Sequence, residues 1–167
     1  TGLTTDTLGF RTSNVTAAVL ETAARLMRVG ASLPEITERV FNTRDVAGLK
    51  LWGMIVERMA VEDGLIWSDS TIAMRREAGA ELGAGSGTVS FLLTADTAKI
   101  SALFTEVEPG KVDVSMRARP GYDVSDVALA LGGGGHKQAA GCIFKGTLEQ
   151  AHGAVLPRLR EKLDGRR

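Results

Sequence analysis

The chain has 167 residues, of which 44% are hydrophobic, with 20 Lys and Arg against 20 Asp and Glu. This composition suits a folded core, and the zero net charge excludes an overall positive field that would attract nucleic acid. One cysteine and two histidines exclude an internal disulfide and a structural zinc site. No apolar run reaches the roughly 18–20 residues of a membrane span and no signal peptide is visible, so we expect a soluble, cytoplasmic protein without membrane association. Because the chain begins at Thr1 without a methionine, we also expect a fragment of a longer protein.

Helical signals dominate the first 62 residues. A first helix is predicted to begin at a cap formed by Ser13 or Asn14, and a second at the capping box of Ser32 and Glu35. A third helix is predicted over residues 44–59. The apolar side chains that it is predicted to bury are Leu49, Trp52, Ile55, Val56 and Met59. The short connections favour one compact helical unit.

After Asp63 the pattern changes to short strands interleaved with helices. Pro109 followed by Gly110 is typical of a type II turn, which predicts a hairpin. The predicted elements are a strand over 64–68, a helix over 70–77, a flexible loop over 79–87, strands over 99–107 and 111–119, a helix capped by Asp123, a strand over 141–144 and a final helix opened by Thr147. The predicted fold class is therefore α/β: an N-terminal helical segment followed by a mixed β-sheet flanked by helices.

The clearest chemical motif is the run of four glycines from Gly132 to Gly135, followed by His136 and Lys137. Glycines expose backbone N–H groups and allow positive φ, so this segment is predicted to form a concave nest for an anion. A plain flexible connection with a surface histidine is the alternative, and it stays open because neither common phosphate-loop pattern fits these residues.

A second polar motif lies on the predicted strand 111–119. Strand periodicity places Asp113, Ser115, Arg117 and Arg119 on one face. A hydroxyl and two guanidinium groups on one face suit the binding of a phosphate, because guanidinium binds phosphate through two parallel hydrogen bonds. A solvated strand face is the alternative.

A third polar motif lies near the start of the chain, where Asp6 stands among hydroxyl side chains. A carboxylate in this setting can bind a cation. An aspartate near a helix start is more commonly a cap, and one carboxylate does not make a metal site.

Together these motifs resemble the DHH superfamily of phosphoesterases. Gly133 to Gly141 resembles the glycine-histidine signature of the DHHA1 domain, and Val114 to Arg117 resembles the Ser-x-Arg strand of that family. Thr1 to Thr7, with Phe10-Arg11 and Ser13-Asn14 after it, resembles the last metal-binding motif of the catalytic DHH domain. The most similar subgroup is the oligoribonuclease (nanoRNase) and 3′-phosphoadenosine-5′-phosphate phosphatase type.

The resemblance implies roles for particular residues. Asp6 would be a manganese ligand, and Gly134 and Gly135 would supply backbone donors. Arg117 would contact the substrate phosphate or the terminal nucleotide, and His136 would lie at the scissile phosphate or its neighbour. The full set that it implies for substrate or phosphate binding is Ser115, Arg117, Arg119, Gly134, Gly135 and His136, with Arg119 matching less firmly. It also implies that residues 1–12 are a DHH remnant, 13–62 a helical linker region and 63–167 the DHHA1 substrate-binding domain.

The function implied is that of the C-terminal, substrate-binding portion of a manganese-dependent phosphoesterase. Its substrates would be short single-stranded oligoribonucleotides, 3′-phosphoadenosine-5′-phosphate or both, and the parent protein could be a homodimer. Because the Asp-His-His motif of the superfamily is absent from this sequence, no complete catalytic set is expected and the chain alone is predicted to be inactive. The alternatives are a single-strand DNA exonuclease or cyclic dinucleotide phosphodiesterase of the same superfamily, or a non-catalytic RNA-binding module.

Overall fold

The computed structural model describes residues 2–7, 9–12 and 15–165, apart from the side chain of Asn42. The predicted caps Ser13 and Asn14, and Thr1 of the predicted metal motif, lie outside the described residues. The chain divides into two compact units, Thr1–Asp45 and Val46–Arg167. No described helix combines the length and apolar character that a bilayer crossing requires.

The first unit is helical, as predicted. Its elements are α1 (Gly2–Asp6), α2 (Ala17–Arg28), α3 (Leu33–Thr37) and a π-helical segment (Glu38–Asn42) that continues α3. The Thr16 hydroxyl caps α2 by accepting the Val19 N–H, and the Ser32 hydroxyl caps α3 by accepting the Glu35 N–H. The predicted cap at Ser32 is therefore confirmed.

The second unit contains a six-stranded mixed sheet flanked by helices, which confirms the predicted fold class. Its helices are α4 (Val46–Glu57), α5 (Ile72–Ala78), α6 (Thr88–Leu92), α7 (Ser125–Ala130) and α8 (Leu148–Asp164). Its strands are β1 (Ala60–Glu62), β2 (Leu65–Ser70), β3 (Ile100–Glu108), β4 (Lys111–Ala118), β5 (Gly134–His136) and β6 (Ala139–Lys145). The strand order is β1-β2-β3-β4-β6-β5; β2 and β3 are parallel and every other neighbouring pair is antiparallel.

The predicted third helix corresponds to α4, which belongs to the second unit and not to one helical unit with α2 and α3. It buries Leu51 and Ile55, whereas Leu49 and Met59, predicted to be buried, are 56% and 43% exposed. The apolar positions of this helix lie nearly all around it, so the sequence pattern did not select one face; packing against Met74 of α5 selected the face of Leu51. The domain boundaries proposed at 12/13 and 62/63 stay predictions.

The hairpin of β3 and β4 positions the rest of the sheet. Gly110 in the connecting turn has φ +78°, which agrees with the predicted type II turn. Thr147 caps α8 through a capping box with Gln150, also as predicted. The helix α7 begins one residue later than a cap at Asp123 requires, and this carboxylate accepts the Ser125 N–H at 2.9 Å.

Helices cover the two faces of the sheet unequally. On one face, α7 and α8 bury the core-facing side chains of β4, which are Val112, Val114, Met116 and Ala118. On the opposite face, α4, α5 and α6 pack over β2 and β3. Beyond them, the same face continues over β4, β6 and β5, where Ile143 is 50% exposed. We call this continuation the open face.

Candidate functional site

The strand β4 supplies the polar side chains of the open face. Its residues alternate between buried and half-buried along all eight positions, so the predicted separation of an apolar and a polar face is confirmed. Asp113, Ser115 and Arg117 lie on the half-buried side. The alternation follows from the strand geometry, in which successive side chains point to opposite faces.

The glycine run forms part of a strand instead of the predicted loop. Gly134, Gly135 and His136 form β5, which pairs antiparallel with β6 and is joined to it by the two-residue turn 137–138. This pairing brings the backbone of Gly135 so close to β6 that an added Cβ would lie 2.6 Å from the Cα of Ala140. Gly133 and Gly135 are therefore needed for close strand packing, whereas a Cβ on Gly134 would meet no atom within 4 Å.

The sheet register brings four of the predicted site residues, Ser115, Arg117, Gly134 and His136, onto one face, whereas Gly135 lies in the row of Ala140 and Met116 on the opposite face. Arg117 of β4 pairs with Ala139 of β6, which pairs in turn with His136 of β5. In the neighbouring row, Ser115 pairs with Gly141, which pairs with Gly134. Directly paired residues point to the same face, and strands lie about 4.8 Å apart, so the Cα atoms of Arg117 and His136 are about 10 Å apart. The small residues of β6 leave the space between the two side chains open.

Arg117 is a half-buried cation. Its Nη1 donates to the Met116 carbonyl at 2.9 Å, and burial lowers the pKa of its guanidinium. No carboxylate in the described part of the chain forms an ion pair with it. A partly desolvated charge without a counter-ion is stabilised by a bound anion, and Arg117 keeps its charge at neutral pH because of its high intrinsic pKa.

Arg119 has a different setting. It follows the end of β4, is exposed, and its Nη2 donates to the carbonyl of Ala95 at 2.9 Å and to that of Leu93 at 3.3 Å. These bonds tie the end of β4 to the turn after α6. A role for Arg119 in substrate binding stays a prediction that this geometry does not strengthen.

A pocket of about 310 Å³ opens beside Arg117, a feature that the sequence pattern did not predict. The polar face of β4 forms one wall and the segment 82–87 forms another. Its lining includes Leu82, Thr105, Val107, Asp113, Ser115 and Arg117. The available sequence signal for this wall was the glycines and the single serine, Ser86, between α5 and α6, but such a composition is also typical of an ordinary loop.

The glycine-rich segment, predicted to be a flexible loop, is anchored along its length. The Trp52 indole N–H donates to the Ala84 carbonyl at 3.2 Å, and the buried Thr88 hydroxyl donates to the Gly85 carbonyl at 2.7 Å. Gly85 is buried, and a Cβ on it would lie 3.4 Å from Ile55. These contacts hold the pocket wall in place.

Asp6 lies in the first unit and is exposed. The neighbouring Thr7 hydroxyl donates to the Leu3 carbonyl at 2.7 Å and accepts the Phe10 N–H at 3.0 Å, so it shapes a local turn. Among the described residues, no group of three or more His, Cys, Asp or Glu side chains could hold a metal ion. A two-metal site needs several such ligands, so the residues present do not fit one, and metal binding by Asp6 stays a prediction.

The domain combines a mixed α/β fold with a pocket beside a half-buried arginine, and comparison with known proteins identifies its family. Residues 69–165 match the DHHA1 domain, so the chain belongs to the DHHA1 domain family. The residues of the open face all lie within this match. The family recognised from the glycine-histidine and Ser-x-Arg motifs is confirmed.

Individual relatives agree with this assignment. The chain is 37% identical over 164 residues to the bifunctional oligoribonuclease and PAP phosphatase NrnA of Thermus thermophilus, a match that covers 98% of this chain and 49% of that protein. The chain thus spans about half the length of this relative.

Two solved structures share the fold. An exopolyphosphatase-related protein from Bacteroides fragilis is similar with a TM-score of 0.83 and 23% identity, over 98% of this chain and 47% of that one. A pGpG-specific phosphodiesterase, PggH, from Vibrio cholerae is similar with a TM-score of 0.52 and 18% identity, over 91% of this chain and 52% of that one.

Proposed function

We propose that this chain is the substrate-binding part of a phosphoesterase that hydrolyses short oligoribonucleotides, 3′-phosphoadenosine-5′-phosphate or both. The observation that carries the proposal is the half-buried Arg117 guanidinium, which faces an open pocket without a carboxylate partner among the described residues. The 37% identity to an oligoribonuclease and PAP phosphatase supports this substrate class over a DNA exonuclease or a cyclic dinucleotide phosphodiesterase.

In this proposal each residue of the open face has a distinct task. The planar guanidinium of Arg117 holds a phosphate through two parallel N–H bonds, and the Ser115 hydroxyl donates to the same ligand from one row further along β4. His136 approaches from β5, about 10 Å from Arg117 between Cα atoms, a distance that a phosphodiester group with its neighbouring sugar can bridge. Gly134 lacks a side chain that would shield the backbone N–H groups of β5.

The whole protein would require manganese, as the resemblance implies. The described residues do not supply a ligand set for a metal pair, so the chain by itself would bind substrate without hydrolysing it. A homodimer of the whole protein and its cytoplasmic location also stay predictions.

The experiment is a binding titration of the chain with 3′-phosphoadenosine-5′-phosphate and a 5′-phosphorylated diribonucleotide, by calorimetry. A hydrogen bond to a charged group contributes about 1.5–3 kcal/mol, so Arg117→Ala should weaken binding by about 10- to 150-fold, with Arg117→Lys in between. Arg158→Ala, which removes an exposed arginine on α8, is the matched control and should bind like the wild type. Equal affinities of Arg117→Ala and the wild type would refute the proposal.

Two further measurements separate the alternative functions. Stronger binding of a deoxyribonucleotide dimer or a cyclic dinucleotide than of the diribonucleotide would favour the corresponding alternative enzyme. Manganese-dependent hydrolysis of a short RNA by the 167-residue chain would contradict the prediction that it is inactive alone.

A further inference from the structure

The end of the pocket away from Arg117 contains a carboxylate that the phosphate site does not use. Asp113 lies on β4, on the same face as Arg117 and four residues before it, which places the two Cα atoms about 13 Å apart. The Asp113 side chain is half-buried, and within the described part of the chain no hydrogen bond or ion pair to its carboxylate is formed. Burial raises the pKa of this carboxyl group, since the charged form is partly desolvated.

We propose that Asp113 is the specificity-determining residue of a nucleoside subsite, where its carboxylate accepts hydrogen bonds from two adjacent N–H or O–H donors of the nucleoside. The inference rests on the proposed function, because it assigns the phosphate of the same ligand to Arg117. It concerns the oligoribonucleotide substrates, since 3′-phosphoadenosine-5′-phosphate has adenine and a phosphorylated 3′-hydroxyl and so carries neither donor pair.

The size and walls of the pocket fit a nucleoside monophosphate. Its volume of about 310 Å³ falls at the lower end of the range for small-ligand sites, about 300–1,000 Å³. Leu82 and Val107 supply apolar surface, and Thr105, which pairs with Asp113 across β3 and β4, supplies a hydroxyl beside the carboxylate. The pocket is therefore cationic at one end, anionic at the other and partly apolar between them.

The charge arrangement sets the direction of the ligand. A phosphate beside Asp113 would be repelled by the carboxylate, whereas at the other end of the pocket it meets the Arg117 guanidinium, whose Cα lies about 13 Å from that of Asp113. The uncharged, donor-bearing part of the ligand then reaches Asp113.

An ionised carboxylate accepts hydrogen bonds and donates none, so it selects a group with two donors side by side. Guanine presents such a pair at N1–H and the 2-amino group, and ribose presents one at its two hydroxyls. Adenine places an acceptor beside its amino group and would meet the carboxylate with one bond and one repulsion. The donor pair is the shared chemistry, and its source is what the experiment resolves.

The experiment measures binding of 5′-GMP, 5′-IMP, 5′-dGMP and inorganic phosphate to the 167-residue chain by calorimetry. A bidentate contact discriminates by about 1–3 kcal/mol, or about 5- to 150-fold. If guanine supplies the donors, the wild type prefers GMP over IMP by this factor; if ribose does, it prefers GMP over dGMP. In Asp113→Asn the preference disappears. Asp126→Asn, a control on the helix α7, which packs on the opposite face of the sheet, keeps it.

Inorganic phosphate serves as the reference ligand. Removing the negative charge of Asp113 strengthens binding of every anion, and the change in phosphate affinity measures this general gain. The inference is overturned if the wild type shows neither preference, or if Asp113→Asn changes all four affinities by one common factor. Asp113→Glu is a second variant that keeps the charge and moves the carboxylate by one methylene; it should also lose the preference. If Arg117→Ala still weakens every nucleotide in that case, only the role of Asp113 is refuted; if Arg117→Ala binds normally, the proposed function itself fails.

Discussion

Three alanine substitutions in the glycine run separate its structural task from its proposed binding task. An added Cβ at Gly133 would lie 2.2 Å from the Gly141 carbonyl oxygen and 2.5 Å from the Cβ of Cys142. One at Gly135 would lie 2.5 Å from the Ala139 carbonyl oxygen. Gly135 also has φ +138°, where a side chain is strained. At Gly134 an added Cβ has no atom within 4 Å, and its φ is not positive.

These contacts set the expected loss of stability. Overpacking costs about 1–3 kcal/mol, so Gly133→Ala should lose about that much. Gly135→Ala adds backbone strain of about 1–3 kcal/mol and should lose about 2–6 kcal/mol in total. Gly134→Ala should stay within about 0.5 kcal/mol of the wild type. In a domain of this size, each kcal/mol lowers the melting temperature by about 2–4 °C.

Urea denaturation and thermal melting, followed by circular dichroism, measure the three variants against the wild type. Because Gly134→Ala keeps its backbone N–H and its fold, it is also the variant in which nucleotide binding can be examined without a stability defect. If Gly134→Ala lowers the free energy of unfolding as much as Gly133→Ala does, β5 does not pack on β6 in the described register.

Further expectations concern the fold and its pH dependence. The buried Arg75 side chain donates to the Ser70 carbonyl at 3.1 Å and to the Glu106 carbonyl, so Arg75→Ala should destabilise by about 1–3 kcal/mol in urea denaturation, and an unchanged midpoint would contradict this. Gly110→Ala places a side chain at φ +78° with no atom nearby, so about 1–2 kcal/mol of backbone strain should appear as a lower melting temperature; no change would mean that the turn adopts another form. Burial raises the pKa of Asp113 above its ordinary 3.8, so ionisation destabilises the fold above the raised pKa. Asp113→Asn should therefore increase stability at pH 7, and the gain should disappear as the pH falls through the folded-state pKa towards 3.8; a variant less stable than the wild type at pH 7 would contradict this.

Local sequence patterns were sufficient to predict much of the secondary structure of the second unit. The period of two along residues 111–118 predicted both faces of β4, and the Pro109-Gly110 pair predicted the hairpin, because both depend on backbone geometry within a few residues. The short strands β1 and β5 and the helix α6 were missed, since three to five residues carry too little periodicity to be recognised. The prediction that the glycine run forms a loop was also wrong, because residues 134–136 become a strand only by pairing with β6, which is a tertiary contact.

The sequence by itself determined the family, the fold class and the identity of the residues that share the polar face of β4. These follow from motifs and from the alternation of side chains, which are properties of neighbouring positions. Only the tertiary structure decided that His136 lies in the same row as Arg117, that Arg119 binds carbonyls after α6, and that Asp113 lines a pocket under the segment 82–87. Strand order, register and burial arise from contacts between residues far apart in the chain, and a linear pattern does not encode which distant segments pack together.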